Sequence, residues 1–90
     1  MTINELADLL LAAGHAHHQA YLATNGDDPE WPLWYATHLQ DKLNARFDYH
    51  FTQSELVYLL VKLDKDYASQ KPGIPWTQYY ARHLIEMFGN

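Results

Sequence analysis

Apolar residues recur three and four positions apart in separate stretches of the chain, and recognisable signals bound each stretch. In the first, Leu6, Leu9, Leu10, Ala13, Ala20 and Tyr21 keep helical spacing; in the third, Leu56, Leu59, Leu60, Leu63 and Tyr67 do the same. Each follows a Thr with a Glu three residues on, at Thr2–Glu5 and Thr52–Glu55. In such a box the hydroxyl accepts the Glu amide while the carboxylate reaches back to the Thr amide, so two orphaned donors are satisfied. An apolar residue before each cap faces one at the fourth position, Met1 with Leu6 and Phe51 with Leu56, as a staple. From box to closing Tyr is sixteen residues in the first stretch and twelve in the third. The difference is about one helical turn, which predicts a longer first helix on the same packing face.

The second and fourth stretches read "WPLWYATHL" (residues 31–39) and "WTQYYARHL" (residues 76–84). Gly- and Pro-rich breaks precede them, "TNGDDPEWP" and "SQKPGIP", and Pro29 and Pro75 each suit a first helical turn. At a constant offset Trp34, Tyr35, Ala36, His38 and Leu39 match Tyr79, Tyr80, Ala81, His83 and Leu84. The same offset pairs Asn44 with Gly89, the two residue types that best tolerate a left-handed helix end. The pattern predicts one all-α domain over 1–90, a four-helix arrangement of two helix–loop–helix repeats, about 1–45 and 50–90, related by a pseudo-twofold axis. "ARFDYHF" joins the halves. The wording "DPEWPLWYATHL" resembles a family of small bacterial helical proteins without assigned function that carry a WPxWYAxxL-type motif. The resemblance covers mainly residues 27–39 and implies no catalytic residues.

The 90 residues are 48% hydrophobic and 19% charged, a globular composition with room for a modest core. Eleven acids oppose six Lys and Arg, at 42, 46, 62, 65, 71 and 82, and those six form no stripe. Nucleic acid is therefore not an expected partner. With no cysteine, disulfides and thiolate chemistry are excluded. No apolar run approaches the roughly 20 residues of a membrane span, and no basic segment precedes the first one; the reading is a soluble, cytoplasmic protein.

Candidate chemistry is sparse. His15 and His18 share a helix face three residues apart, with His17 turned away from it. A metal there needs further ligands, for which Asp27, Asp28, His38 and His83 are the candidates, and a polar surface turn is the plainer reading. His38 and His83 occupy equivalent places and would meet near the axis as titrating groups, or else cap carbonyls and hydroxyls at the core rim. Asp27, Asp28 and Glu30 suit the positive end of the second helix better than a calcium loop. Asp64 and Asp66 interleave with lysine and read as solvated surface. No glycine-rich phosphate loop or nucleophile elbow is present, so no cofactor is implied and an enzyme is not favoured.

Two readings of function remain. The first is a non-enzymatic protein-interaction module that docks on itself, as a homodimer, or on another protein. Val57, Tyr58 and Val61 widen the third helix's apolar stripe and would form that surface, unless the helix is internal. The second is a small-molecule or metal-binding domain with a cleft lined by Trp31, Trp34, Tyr35, His38, Trp76, Tyr79, Tyr80 and His83. Rings stacked on each other favour the first reading; rings around a cavity favour the second. A small hydrolase or lyase using the histidines ranks below both.

Overall fold

The computed structural model describes residues 1–89. Four helices, α1 (Ile3–Ala20), α2 (Trp31–Asn44), α3 (Gln53–Gln70) and α4 (Trp76–Phe88), carry the fold, with one 3₁₀ turn over Leu22–Thr24. No strand occurs among the described residues, and no helix is long and apolar enough to cross a membrane. The Cα radius of gyration of 12.7 Å is close to the roughly 12 Å expected of a compact chain this long.

Local chemistry starts α1 and α3 in the same way. Glu5 N–H donates to Thr2 Oγ1 at 3.1 Å and Thr2 N–H to Glu5 Oε1 at 3.2 Å. Glu55 N–H donates to Thr52 Oγ1 at 3.1 Å and Thr52 N–H to Glu55 Oε1 at 3.3 Å. The two staples differ in strength: Phe51 is fully buried, whereas Met1 stays 43% exposed. Both helices span 18 residues, so the predicted one-turn extension of the first is incorrect. Tyr21 is the C-cap of α1, and the residue standing as far from its box as Tyr67 does is the buried His17.

The core gathers Leu6, Leu10 and Ala13 of α1, Ala36, Leu39 and Leu43 of α2, the α3 leucines, and Tyr79, Tyr80, Ala81 and Leu84 of α4. Packing is crosswise: α1 lies mainly along α4 and α2 along α3, with lighter contact inside each hairpin. Between the hairpins Phe51 fills the core end, its ring 5.5 Å from Phe47, 4.9 Å from Tyr49 and 4.9 Å from Phe88. Asn44 clamps it there, accepting from Phe51 N–H at 2.7 Å and donating to Phe51 O at 3.1 Å.

Helix ends depart from expectation. Asn44 lies in the last turn of α2 and Gly89 is extended at φ −76°, so neither takes the left-handed conformation assigned to it. Asn44 spends its amide on the clamp, and among the described residues the non-glycine positions with positive φ are Asn25 (φ 56°) and Lys71 (φ 46°). Pro29 precedes α2, Pro32 occupies its first turn, and Pro75 is the N-cap of α4 rather than a helical residue. Lys71 has a Cβ in a region that disfavours one by roughly 1–2 kcal/mol. Lys71→Gly is expected to raise stability by about 1 kcal/mol, measured by urea denaturation.

Candidate functional site

One face of the molecule opens into a cavity of about 410 Å³, bounded by α1, the loop before α2, and helices α2, α3 and α4. From the first hairpin come His17, Gly26, Asp27, Asp28, Trp31 and Tyr35; from the second come Leu60, Asp64, Tyr67, Trp76 and Tyr80. The rings meet as walls at steep angles. Trp31 and Tyr35 lie 6.0 Å apart at 81°, Trp76 and Tyr80 5.1 Å apart at 73°, and Tyr35 and Trp76 join the two sides at 6.3 Å and 82°. A methyl added at Gly14 would meet Trp76 Cζ2 at 3.4 Å and the Tyr35 hydroxyl at 3.7 Å. The indole therefore lies close against the α1 backbone.

His17 braces this arrangement. Its ring is 4.8 Å from Tyr21, 4.9 Å from Trp34 and 5.0 Å from Tyr35, and its Nε2 is 3.1 Å from Asp28 Oδ2. An ionised carboxylate only accepts, so the shared proton sits on Nε2. Asp28 Oδ1 also accepts from Glu30 N–H at 3.0 Å. Burial opposes the charge on Asp28, but the hydrogen bonds from His17, the Glu30 amide and Tyr21 outweigh it and hold the carboxyl below its ordinary value. Asp28 thus fastens the loop to α1. The cap of α2 is Glu30, without a side-chain cap bond, so the acidic loop serves the helix end less than expected.

On the opposite wall, burial first and the Asp64 carboxylate second push the Tyr80 phenol well above its usual range. Burial also raises Tyr35. Both phenols stay neutral at physiological pH and can donate hydrogen bonds. Asp64 is part of this wall, not merely of a solvated surface, while Asp66 does pair outward with Lys62 at 2.9 Å.

Of the eight residues predicted to line a cleft, Trp31, Tyr35, Trp76 and Tyr80 surround the cavity. Trp34 stands behind it, with one side against His17, and lines a separate groove of about 370 Å³ with Tyr21, Glu30, Leu33, Thr37 and His38. Tyr79 is buried in the core, its ring 5.4 Å from Tyr67 and 4.4 Å from His83. His38 stacks on Trp34 at 4.8 Å and 14°. Among the described residues the imidazoles of His38 and His83 make no contact with each other, so the expected meeting at an axis does not occur. The reason is geometric: each lies over the aromatic residue one turn earlier on its own helix.

His15 and His18 are exposed on α1. His18 covers the turn at Gly26, where φ is +85° and an added Cβ would come 2.9 Å from His18 Nδ1. Among the described residues no three His, Asp or Glu side chains gather as a metal-holding group. Sequence reasoning gave the cavity residues His17, Asp28, Asp64 and Tyr67 other places: a turned-away imidazole, a metal or helix-end acid, solvated surface and the apolar stripe. Counting residues from each capping box, rather than to each Tyr, would have set His17 opposite Tyr67.

Burial first, and Lys42 second, hold the His38 imidazole below its ordinary value of 6.5. The folded chain therefore binds this proton less tightly than the unfolded one. The resulting stability is intact above 6.5 and erodes as pH falls through that value toward the depressed folded one. His38→Gln should flatten the fall in thermal midpoint between about pH 7.5 and about pH 5, followed by circular dichroism.

No protein-family model matches the chain, and no curated protein or solved structure shows significant similarity to it. The lining carries two indoles, three phenols, one imidazole and three carboxylates, with no Ser, Thr or Lys nucleophile.

Proposed function

We propose that the chain is a non-enzymatic binding module whose ligand sits in the aromatic cleft between two duplicated helix–loop–helix units. The observation that carries the reading is the cavity itself. Trp31, Tyr35, Trp76 and Tyr80 meet edge to face around about 410 Å³ rather than closing on one another. That volume falls within the roughly 300–1,000 Å³ of small-ligand sites. Duplication is supported by the lining. Trp31 with Trp76 and Tyr35 with Tyr80 stand forty-five positions apart, and His17 with Tyr67 stands fifty apart, equal distances from the two capping boxes. A pseudo-twofold axis through the cavity mouth accounts for all three pairs.

The test is a fragment screen on ¹⁵N-labelled protein, read at the indole N–H resonances. Binding should move Trp31 and Trp76 together, with Trp34 far less affected. Fragments that leave both cleft indoles in place, whatever else they shift, would overturn the reading.

A second reading, self-association through α3, is favoured by Tyr58. This ring is 65% exposed between the half-buried Val57 and Val61. Val57 also packs against the core, so the face is best probed at Tyr58. On this reading Tyr58→Glu turns a dimer into a folded monomer in sedimentation. A wild-type monomer at micromolar concentration removes it.

A further inference from the structure

The cleft joins two properties: aromatic walls and a uniformly negative set of charges. Asp27, Asp28 and Asp64 line it, and none of the six Lys and Arg does. His17 is the one lining group able to carry a positive charge, and it is committed to Asp28 at 3.1 Å. Even a protonated His17 leaves the lining negative. Burying an anionic ligand here would strip water from the carboxylates and set like charge against them, whereas a cation offsets their charge.

The walls have the matching chemistry. An aromatic face is negative and attracts a cation, Trp most strongly. Trp31 stands at 81° to Tyr35, and Trp76 at 73° to Tyr80, so each pair forms a corner rather than a slab. A rounded, weakly hydrated cation fits such corners and forfeits little hydration on entry. A bare ammonium is strongly hydrated and fits less well. The phenols of Tyr35 and Tyr80 remain neutral, held so by burial and, for Tyr80, by Asp64. They offer ring surface without adding charge that would have to be neutralised.

We infer that the cleft binds an alkylated ammonium group, seated against the Trp31, Tyr35, Trp76 and Tyr80 rings and neutralised by Asp64 and Asp27. This rests on the binding reading above and names the class of its ligand. The cation arrives either as a free small molecule or as the methylated lysine side chain of a partner protein; the recognition chemistry is the same.

Titration calorimetry on the intact protein tests it with three probes: choline, its uncharged carbon isostere 3,3-dimethylbutan-1-ol, and a short peptide bearing trimethyllysine. Choline or the peptide should bind roughly ten- to thirty-fold more tightly than the isostere and shift the Trp31 and Trp76 indole resonances. Asp64 is exposed, so Asp64→Asn keeps the fold, checked by circular dichroism. It should weaken cation binding about five-fold or more while leaving the isostere unchanged. Tighter binding of the peptide than of choline places the cation on a protein, and the reverse places it on a free metabolite; both uphold the inference. Equal binding of cation and isostere at the two indoles overturns it yet leaves a ligand cleft standing. If no probe reaches the cleft, the inference fails. If the fragment screen is also silent at those indoles, the binding reading fails with it.

Discussion

Phe51→Ala should lower the stability of this domain by about 3–5 kcal/mol. Phe51 is fully buried and heads the fully buried side chains by volume. Three other rings, Phe47, Tyr49 and Phe88, lie within 5.5 Å of it. Removing it leaves a cavity that these rings cannot close, because the Asn44 clamp fixes the backbone at that point from both N–H and C=O. Domains of this size have about 5–14 kcal/mol in total, so the variant loses a large share of the domain's stability. Urea denaturation with tyrosine and tryptophan fluorescence reads the loss. A cost under about 1 kcal/mol would mean that the junction between hairpins carries little of the fold.

The second large effect belongs to His17. His17→Ala removes a ring packed on Tyr21, Trp34 and Tyr35 and deprives the nearly buried Asp28 carboxylate of its partner. Loss of packing and of a charge-assisted hydrogen bond together should amount to roughly 2–4 kcal/mol. The pH profile separates the two contributions. In the wild type Asp28 ionises below its ordinary range, so its stabilisation is complete above that range and disappears as pH falls through the lowered folded value. Without His17 the carboxyl loses the foremost of the bonds that lower it, so its folded value rises from that of the wild type. The acid limb of the stability curve should then begin at higher pH than in the wild type. His17→Gln, which can still donate to Asp28, should restore much of the acid limb but little of the packing. A variant with unchanged acid behaviour would show that Asp28 is held by Glu30 and Tyr21 alone.

The helices were legible because their signals are local. Thr2–Glu5 and Thr52–Glu55 each satisfy donors within one turn, so four residues suffice to recognise them. The aromatic cleft was half legible. Trp31, Tyr35, Trp76 and Tyr80 follow from the repeated wording, but helical spacing alone does not say which side of an aromatic turn faces the partner helix. Trp34 and Tyr79 occupy the same motif position, yet one rims an outer groove and the other is buried in the core.

His17 escaped notice for a different reason. A histidine among leucines and alanines reads as the polar edge of a helix, and only the tertiary partner Asp28, eleven residues later in a loop, reverses that reading. Asn44 misled in a related way. Its residue type signals a left-handed terminus, but its amide has a better use seven residues on, at Phe51. Long-range hydrogen bonding outranks local propensity at both positions.

The crosswise pairing of helices has a consequence for biosynthesis. Helices α2 and α3 adjoin in sequence and pack on each other, so they can dock as soon as both have left the ribosome. The main partner of α1 is α4, whose first residue is Trp76. During translation the Leu6–Leu10–Ala13 face therefore waits, wet and adhesive, through the emergence of more than fifty further residues. Asp8 is the acid on α1 that lies outside the capping box, and its exposed charge adjoins that waiting surface. Replacing Asp8 with a neutral residue should trouble the nascent chain more than the finished protein.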